Sequence, residues 1–136
     1  LDTFRPIATE SVEEHKIHTE SYEISPEAAE ALQKKEGFKL AVGTTSLRTL
    51  EDYARKGYPE GHLHSASLFI YPPQVIQSVD ALITNFHLPK STLMCLVAAF
   101  LKPKSMDGIA WLKQLYAEAL AKGYRFYSYG DAMLIL

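Results

Sequence analysis

The stretch that most restricts this chain is Val79–Phe100, VDALITNFHLPKSTLMCLVAAF. Ala81–Phe86 is short, apolar and partly β-branched, the pattern of a buried strand. Leu93–Leu101 is apolar on every side, which a helix tolerates only when a core encloses it. Between the two lie Asn85, His87, Pro89, Lys90, Ser91 and Thr92. Pro89 disfavours helix at Leu88, and Ser91 can cap the helix that follows by accepting a first-turn N–H. The stretch therefore asks for a buried strand and a buried helix joined by a polar connection. In open α/β sheets ligands gather at that end of the strands, and helix N-termini favour anions.

The rest of the chain supplies layers around this pair. Leu1–Glu10 reads as extended and then irregular, because Pro6 turns Arg5 away from helix. Ser11–Glu20 carries His15 and His18, which share a face if the segment is helical. They suit either a solvated helix end or part of a metal site, but a structural metal site wants four ligands and no cysteine is near. Ser21–Ser25 alternates as a strand does. Ser25-Pro26 then opens a helix, with Ser25 as N-cap, Lys34 and Lys35 in the last turn and Gly37 as the stop. Phe38–Val42 reads as a strand, Gly43–Ser46 as a turn, and Leu47, Leu50 and Ala54 as one face of a helix that Gly57 ends. Taken alone, Gly-Thr-Thr-Ser is a weak anion cradle and fits simple N-capping better, since it is neither a Walker loop nor GxGxxG.

Tyr58–Ser65 reads as a loop, Ala66–Tyr71 as a strand, and Pro72-Pro73 as its end. After Lys102-Pro103-Lys104, Ser105 or Asp107 can cap a helix whose core face is Ile109, Leu112, Leu115, Tyr116, Ala119 and Leu120, with Gly123 closing it. Trp111 reads as a packing residue. Tyr124–Tyr129 alternates and is aromatic-rich, a strand pattern, followed by a turn at Gly130-Asp131 and a last apolar strand, Ala132–Leu136. Strands alternating with helices predict an α/β fold: a layered sheet with flanking helices, one domain over 1–136. Its loop candidates for polar ligands are Thr44–Arg48, Asn85–Lys90 and Tyr129–Asp131.

Composition narrows the function classes. With 14 Lys+Arg against 16 Asp+Glu the net charge is −2, so no global basic field points to nucleic acid, although local cations can still grip it. A single cysteine, Cys95, rules out an internal disulfide and a CxxC metal site, and its apolar surroundings read as a buried, inert thiol. The apolar run at Leu93–Leu101 is too short to span a bilayer. A cytosolic protein, seen as a fragment or processed chain, is the simplest account.

Three blocks, VGTTSLRTLE at Val42–Glu51, NFHLPKST at Asn85–Thr92 and RFYSYGDAMLI at Arg125–Ile135, resemble the S-adenosylmethionine:tRNA ribosyltransferase-isomerases of queuosine biosynthesis. The resemblance runs from Thr3 to Ile135 and concerns only the C-terminal part of that family, one portion of a larger two-domain enzyme. Family members have a glycine-rich approach to the TF-x-P segment, where Leu1 and Asp2 stand here, and usually glycine at Pro73. The resemblance implies that the ribosyl part of S-adenosylmethionine is transferred and rearranged onto 7-aminomethyl-7-deazaguanine in a tRNA anticodon. Epoxyqueuosine-tRNA, adenine and methionine are the products. S-adenosylmethionine is then a consumed substrate; no cofactor and no metal are implied, and the family points to a monomer in the cytoplasm. Such chemistry needs a base, an acid and charge stabilisation.

On that reading His87 is the first candidate for acid or base, because its ordinary pKa is near neutral, and Asp131 the second. The alternative for each is structural: a satisfied strand-end histidine and a turn-fixing aspartate. The resemblance places Thr44, Thr45, Ser46 and Arg48 in the substrate region, with Asn85, Lys90 and Tyr129. Arg48 and Lys90 suit a carboxylate or phosphate. Tyr129, Phe126 and Phe86 suit stacking on a base, with core packing expected for at least two of the three. His15, His18, Glu20 and Glu51 form a possible site wall. The competing function is an isolated, catalytically incomplete fragment that only binds substrate or serves as a structural module.

Overall fold

The computed structural model describes residues 18–136. The start at 1–10, most of the histidine segment and His15 itself lie outside the described residues. The elements are β1 (Glu20–Glu23), α1 (Pro26–Gln33), β2 (Leu40–Val42), α2 (Thr44–Arg55), β3 (Leu63–Ala66), β4 (Ala81–Asn85), α3 (Thr92–Leu101), α4 (Gly108–Ala121) and β5 (Ala132–Ile135). The fold is α/β, as expected.

β2, β4 and β5 form a three-stranded sheet with β4 in the centre. β2 runs parallel to β4 with Ala41 opposite Leu82, and β5 runs antiparallel with Ile135 opposite Leu82. These three side chains are buried in one core with Leu47 of α2, Leu96 and Val97 of α3, and Leu112 and Tyr116 of α4. The alternate row, Val42, Ile83 and Leu134, sits on the other face, where Val42 and Leu134 are exposed. β1 and β3 make a separate antiparallel pair, with Tyr22 opposite His64.

The α3 helix is as enclosed as its composition demands: every residue from Thr92 to Ala99 is buried. Ser91 caps it, accepting from Met94 N at 3.2 Å and donating to Leu88 O at 2.8 Å. Ser25 likewise accepts from Ala28 N ahead of Pro26 in α1. Cys95 is buried among these residues, and desolvation raises its pKa to about 11, an inert thiol. Among the described residues no helix is long and apolar enough to cross a membrane.

Several local expectations need correction. α1 ends at Gln33, so Lys34 and Lys35 lie beyond its last turn. Of Ala66–Tyr71 only Ala66 is in a strand; that strand is Leu63–Ala66, most of it inside the stretch Tyr58–Ser65 expected to be a loop. Beyond Ala66 the Leu68 carbonyl accepts from the Arg48 side chain instead of from a neighbouring strand. Tyr124–Tyr129 is also not a strand. Tyr127 takes a left-handed conformation (φ 70°), its N–H reaches Phe86 O at 3.1 Å, and Gly130 N closes onto Tyr127 O. The α4 core face is narrower than its pattern suggested: Leu112, Tyr116 and Ala119 are buried, whereas Leu115 and Leu120 are exposed. Trp111 is 51% exposed, with Lys102 Nζ 5.4 Å from its ring centre, so it does not fill the core.

Gly108 at the start of α4 lies against the Ala98 backbone of α3. A Cβ there would lie 2.2 Å from Ala98 O of α3, closer than atoms can pack. Gly108→Ala is expected to destabilise the fold by about 3 kcal/mol through forced separation of the two helices. Helix propensity alone would stabilise the same variant by about 1 kcal/mol. Chemical denaturation of the two proteins measures which sign holds.

Candidate functional site at the end of the central sheet

Strand direction decides where the polar loops go. β2 and β4 are parallel, so both C-terminal ends lie at one edge of the sheet; β5 is antiparallel, so its N-terminal end joins them. That edge carries Thr44–Ser46, Asn85–Lys90 and Tyr129–Asp131. Gly43 N donates to Ile83 O at 2.8 Å, tying the first loop to β4, the strand that leads into the second. Asn85 Nδ2 donates to Asp131 O at 3.3 Å, tying the second to the third.

The first loop is tighter than expected, because α2 begins at Thr44. Its N-cap is Gly43, at φ 91° and ψ 148°, a conformation that needs glycine. Gly43 has no side chain to cap with, so Thr44, Thr45 and Ser46 occupy the first helical turn rather than the N-cap position. Thr45 and Ser46 are exposed, and Thr44 is buried.

The second loop holds His87 from two sides. Its main-chain N–H donates to Tyr116 Oη of α4 at 2.9 Å, and its Nε2 lies 2.9 Å from Thr84 Oγ1 of β4. Nδ1 has no partner among the described residues. Burial lowers the His87 pKa from its ordinary 6.5 to about 4, so the ring is neutral at neutral pH. Lys90 follows, exposed and left-handed at φ 56°, at the turn into α3.

In the third loop the Asp131 carboxylate is engaged. It accepts from Arg125 N at 2.8 Å and from Arg125 Nη2 at 3.0 Å. The hydrogen bonds from the Arg125 side chain, then its main chain, hold the Asp131 carboxyl below its usual range. Of its two expected roles, fixing the turn is the one these contacts perform. Phe86 and Phe126 stack on each other at 4.7 Å, while Tyr129 is 98% exposed. Two of the three candidate aromatics are therefore packed together, and one is presented to solvent.

Arg48 and Glu51 have other partners. Arg48 is 3% exposed, and its donors reach Leu68 O, Ala66 O, His18 O and Glu20 Oε2 at 3.0, 3.2, 2.9 and 3.0 Å. Burial lowers its pKa, opposed by the nearby Glu20 and Asp52 carboxylates. Glu51, 0% exposed, accepts from Gln77 N, Ser78 N and Arg55 Nε at 2.9, 3.0 and 2.7 Å. These contacts brace α2 against the β1–β3 side and the 74–78 segment, and none involves the three loop tips. His18 and Glu20 sit with Arg48, not with His87. Sequence reasoning overlooked Thr84 and Tyr116, the two groups that hold His87. The available signal was a lone hydroxyl inside the apolar strand Ala81–Asn85.

Two outcomes follow. Arg48→Met leaves three carbonyls and Glu20 without their donor, and is expected to destabilise the fold by about 3 kcal/mol in denaturant titration. Arg48→Lys restores charge but not the planar fork and is expected to recover only a minority of that loss. His87 gives a pH dependence: its folded pKa of about 4 lies below the unfolded 6.5, so between these values the unfolded chain binds more protons. Stability attributable to this group is full above pH 6.5 and falls by about 2 kcal/mol on going down to pH 5. Denaturant midpoints of wild type and His87→Asn across pH 7 to 5 are expected to converge as pH falls.

A family model described as queuosine biosynthesis protein matches residues 1–135. The S-adenosylmethionine:tRNA ribosyltransferase-isomerase of Thermotoga petrophila is 48% identical over 139 residues, covering 100% of this chain and 40% of that protein. The enzyme of the same name from Heliobacterium modesticaldum is 49% identical over 143 residues, covering 100% of this chain and 39% of its own length. A crystal structure of S-adenosylmethionine tRNA ribosyltransferase from Thermotoga maritima superimposes with a TM-score of 0.58 at 52% identity, over 71% of this chain and 32% of the other. The chain thus spans about 40% of the length of the curated relatives it matches. With a match along its whole length and nearly half of its residues identical, the chain belongs to the queuosine biosynthesis protein family.

Proposed function

We propose that this chain supplies part of the substrate site of an S-adenosylmethionine:tRNA ribosyltransferase-isomerase. The activity moves the ribosyl group of S-adenosylmethionine onto 7-aminomethyl-7-deazaguanine in tRNA and releases adenine and methionine. The observation that carries this reading is the gathering of the chain's polar loops at one sheet edge, within a match to enzymes of that name along the whole chain. S-adenosylmethionine is a consumed substrate, tRNA the acceptor, no cofactor takes part, and the enzyme works as a cytoplasmic monomer.

In this proposal Thr44, Thr45, Ser46, Asn85, Lys90 and Tyr129 contact substrate. Lys90 is exposed and faces no fixed carboxylate in the described hydrogen-bond network, which suits an anionic partner such as a carboxylate or phosphate. Tyr129 offers a solvent-facing ring for stacking on a base. Arg48 and Glu51 keep the loops in place from behind α2, and Asp131 braces the third loop.

A second reading, a binding module, rests on the coverage of about 40% of the relatives: the residues of this chain bind substrate but do not by themselves carry out the reaction. Calorimetry of this chain with S-adenosylmethionine, followed by an adenine-release assay with tRNA bearing the aminomethyl base, separates the two. Binding with tRNA-dependent adenine release is the expected result for the enzyme. Binding without release identifies the module, and no detectable binding at millimolar ligand would overturn both.

A further inference from the structure

His87 is held at the site by one hydroxyl on its ring and one on its backbone, and the ring contact has a chemical consequence. Neutral imidazole carries a single N–H, on Nδ1 or on Nε2, and the hydrogen bond at one nitrogen decides the state of the other. Nε2 of His87 is 2.9 Å from Thr84 Oγ1. Thr84 is 3% exposed, and its hydroxyl has no other hydrogen-bond partner among the described residues. If Nε2 carried the proton, it would donate to Oγ1, and the buried Thr84 O–H would have no acceptor. If Nε2 is bare, the Thr84 hydroxyl donates to it and both groups are satisfied. Leaving a buried donor unpaired is costly enough to favour the second arrangement roughly tenfold or more.

We propose that Thr84 is a positioning residue that holds His87 as the Nδ1–H tautomer, so that Nδ1 presents a hydrogen-bond donor to an acceptor atom of the substrate. Tyr116 fixes the second coordinate: its Oη accepts the His87 main-chain N–H at 2.9 Å, so the ring is anchored by β4 while the backbone is anchored by α4. Burial keeps the ring uncharged at neutral pH, consistent with a neutral donor. In this arrangement neither nitrogen is an available base, because Nε2 is occupied by Thr84 and Nδ1 carries the proton. His87 then orients and polarises a substrate ring nitrogen or oxygen and does not remove a proton. No bond is made or broken at the imidazole.

The substrate half of this inference rests on the proposed function, whereas the tautomer half does not. Long-range proton–nitrogen NMR of the nitrogen-15-labelled chain at pH 7 reads the tautomer of His87 directly, with His87→Asn used for assignment. In wild type the Nδ1–H form is expected to dominate by roughly tenfold. Thr84→Ser, which keeps the hydroxyl, should preserve that spectrum. Thr84→Val, which keeps the shape, should shift the population towards Nε2–H, the form imidazole side chains favour in water. A dominant Nε2–H signal in wild type overturns the proposal without any variant, and so does an unchanged tautomer in Thr84→Val. Titration with S-adenosylmethionine tests the donor. Movement of the Nδ1 resonance at the calorimetric midpoint supports it. Binding that leaves this resonance fixed removes the donor role, and absence of binding counts against the transferase reading while the tautomer result stands.

Discussion

A helix with no polar face has to be enclosed, and enclosing α3 organises everything else. Thr92–Ala99 is buried without interruption, so elements must pack around the helix on every side. The sheet supplies one wall through Ala41, Leu82 and Ile135, α2 supplies Leu47, and α4 supplies Leu112 and Tyr116. Each fully buried aliphatic side chain of this kind contributes about 1.5–3 kcal/mol, so the wall is cooperative: loss of one element exposes the helix to water. Because β4 leads into α3 through a short proline-containing connection, burial of this pair also fixes where Asn85–Lys90 emerges. The position of the polar loop is a consequence of the apolar packing beneath it.

The second layer of constraint is polar, and it is concentrated on α2. Arg48 and Glu51 are one turn apart, both buried, and both nearly saturated with hydrogen bonds. A buried charge is tolerable only when its desolvation is offset by such bonds. Arg48 collects the carbonyls of three separate residues, and Glu51 collects two N–H groups of the 77–78 backbone. α2 thus joins the β1–β3 pair to the main sheet by these polar contacts together with Tyr53, which is buried against His64 of β3.

The division between what was legible and what was not follows from locality. The caps at Ser25 and Ser91, the strand Ala81–Asn85, the enclosed helix and the last strand depend on residues within a few positions of one another, and their patterns stand in the sequence. The segment after Ala66 looks like a strand because its residues suit one, yet the Leu68 carbonyl belongs to Arg48, twenty positions earlier. Tyr124–Tyr129 alternates as a strand does, but Asp131 captures the Arg125 N–H and Phe86 captures the Phe126 ring, so the chain turns instead. Within the candidate site, the loops and His87 were readable as polar groups at a strand end. Thr84 and Tyr116 were not, since a hydroxyl inside a strand and a tyrosine on a helix face read as core until the histidine is seen between them.

These same contacts limit the chemistry available at the sheet edge. The third loop's carboxylate, Asp131, is ionised and already shared with Arg125. Glu51 is buried behind α2 with its oxygens accepting from main chain and Arg55. His87 is neutral, with Nε2 facing a hydroxyl. What the loops present outward includes the Ser46 hydroxyl at the start of a helix, the Lys90 ammonium and the Tyr129 phenol, all able to donate. Donors of this kind bind and polarise an electron-rich substrate. Under the proposed reaction these donors serve binding and charge stabilisation at the sheet edge.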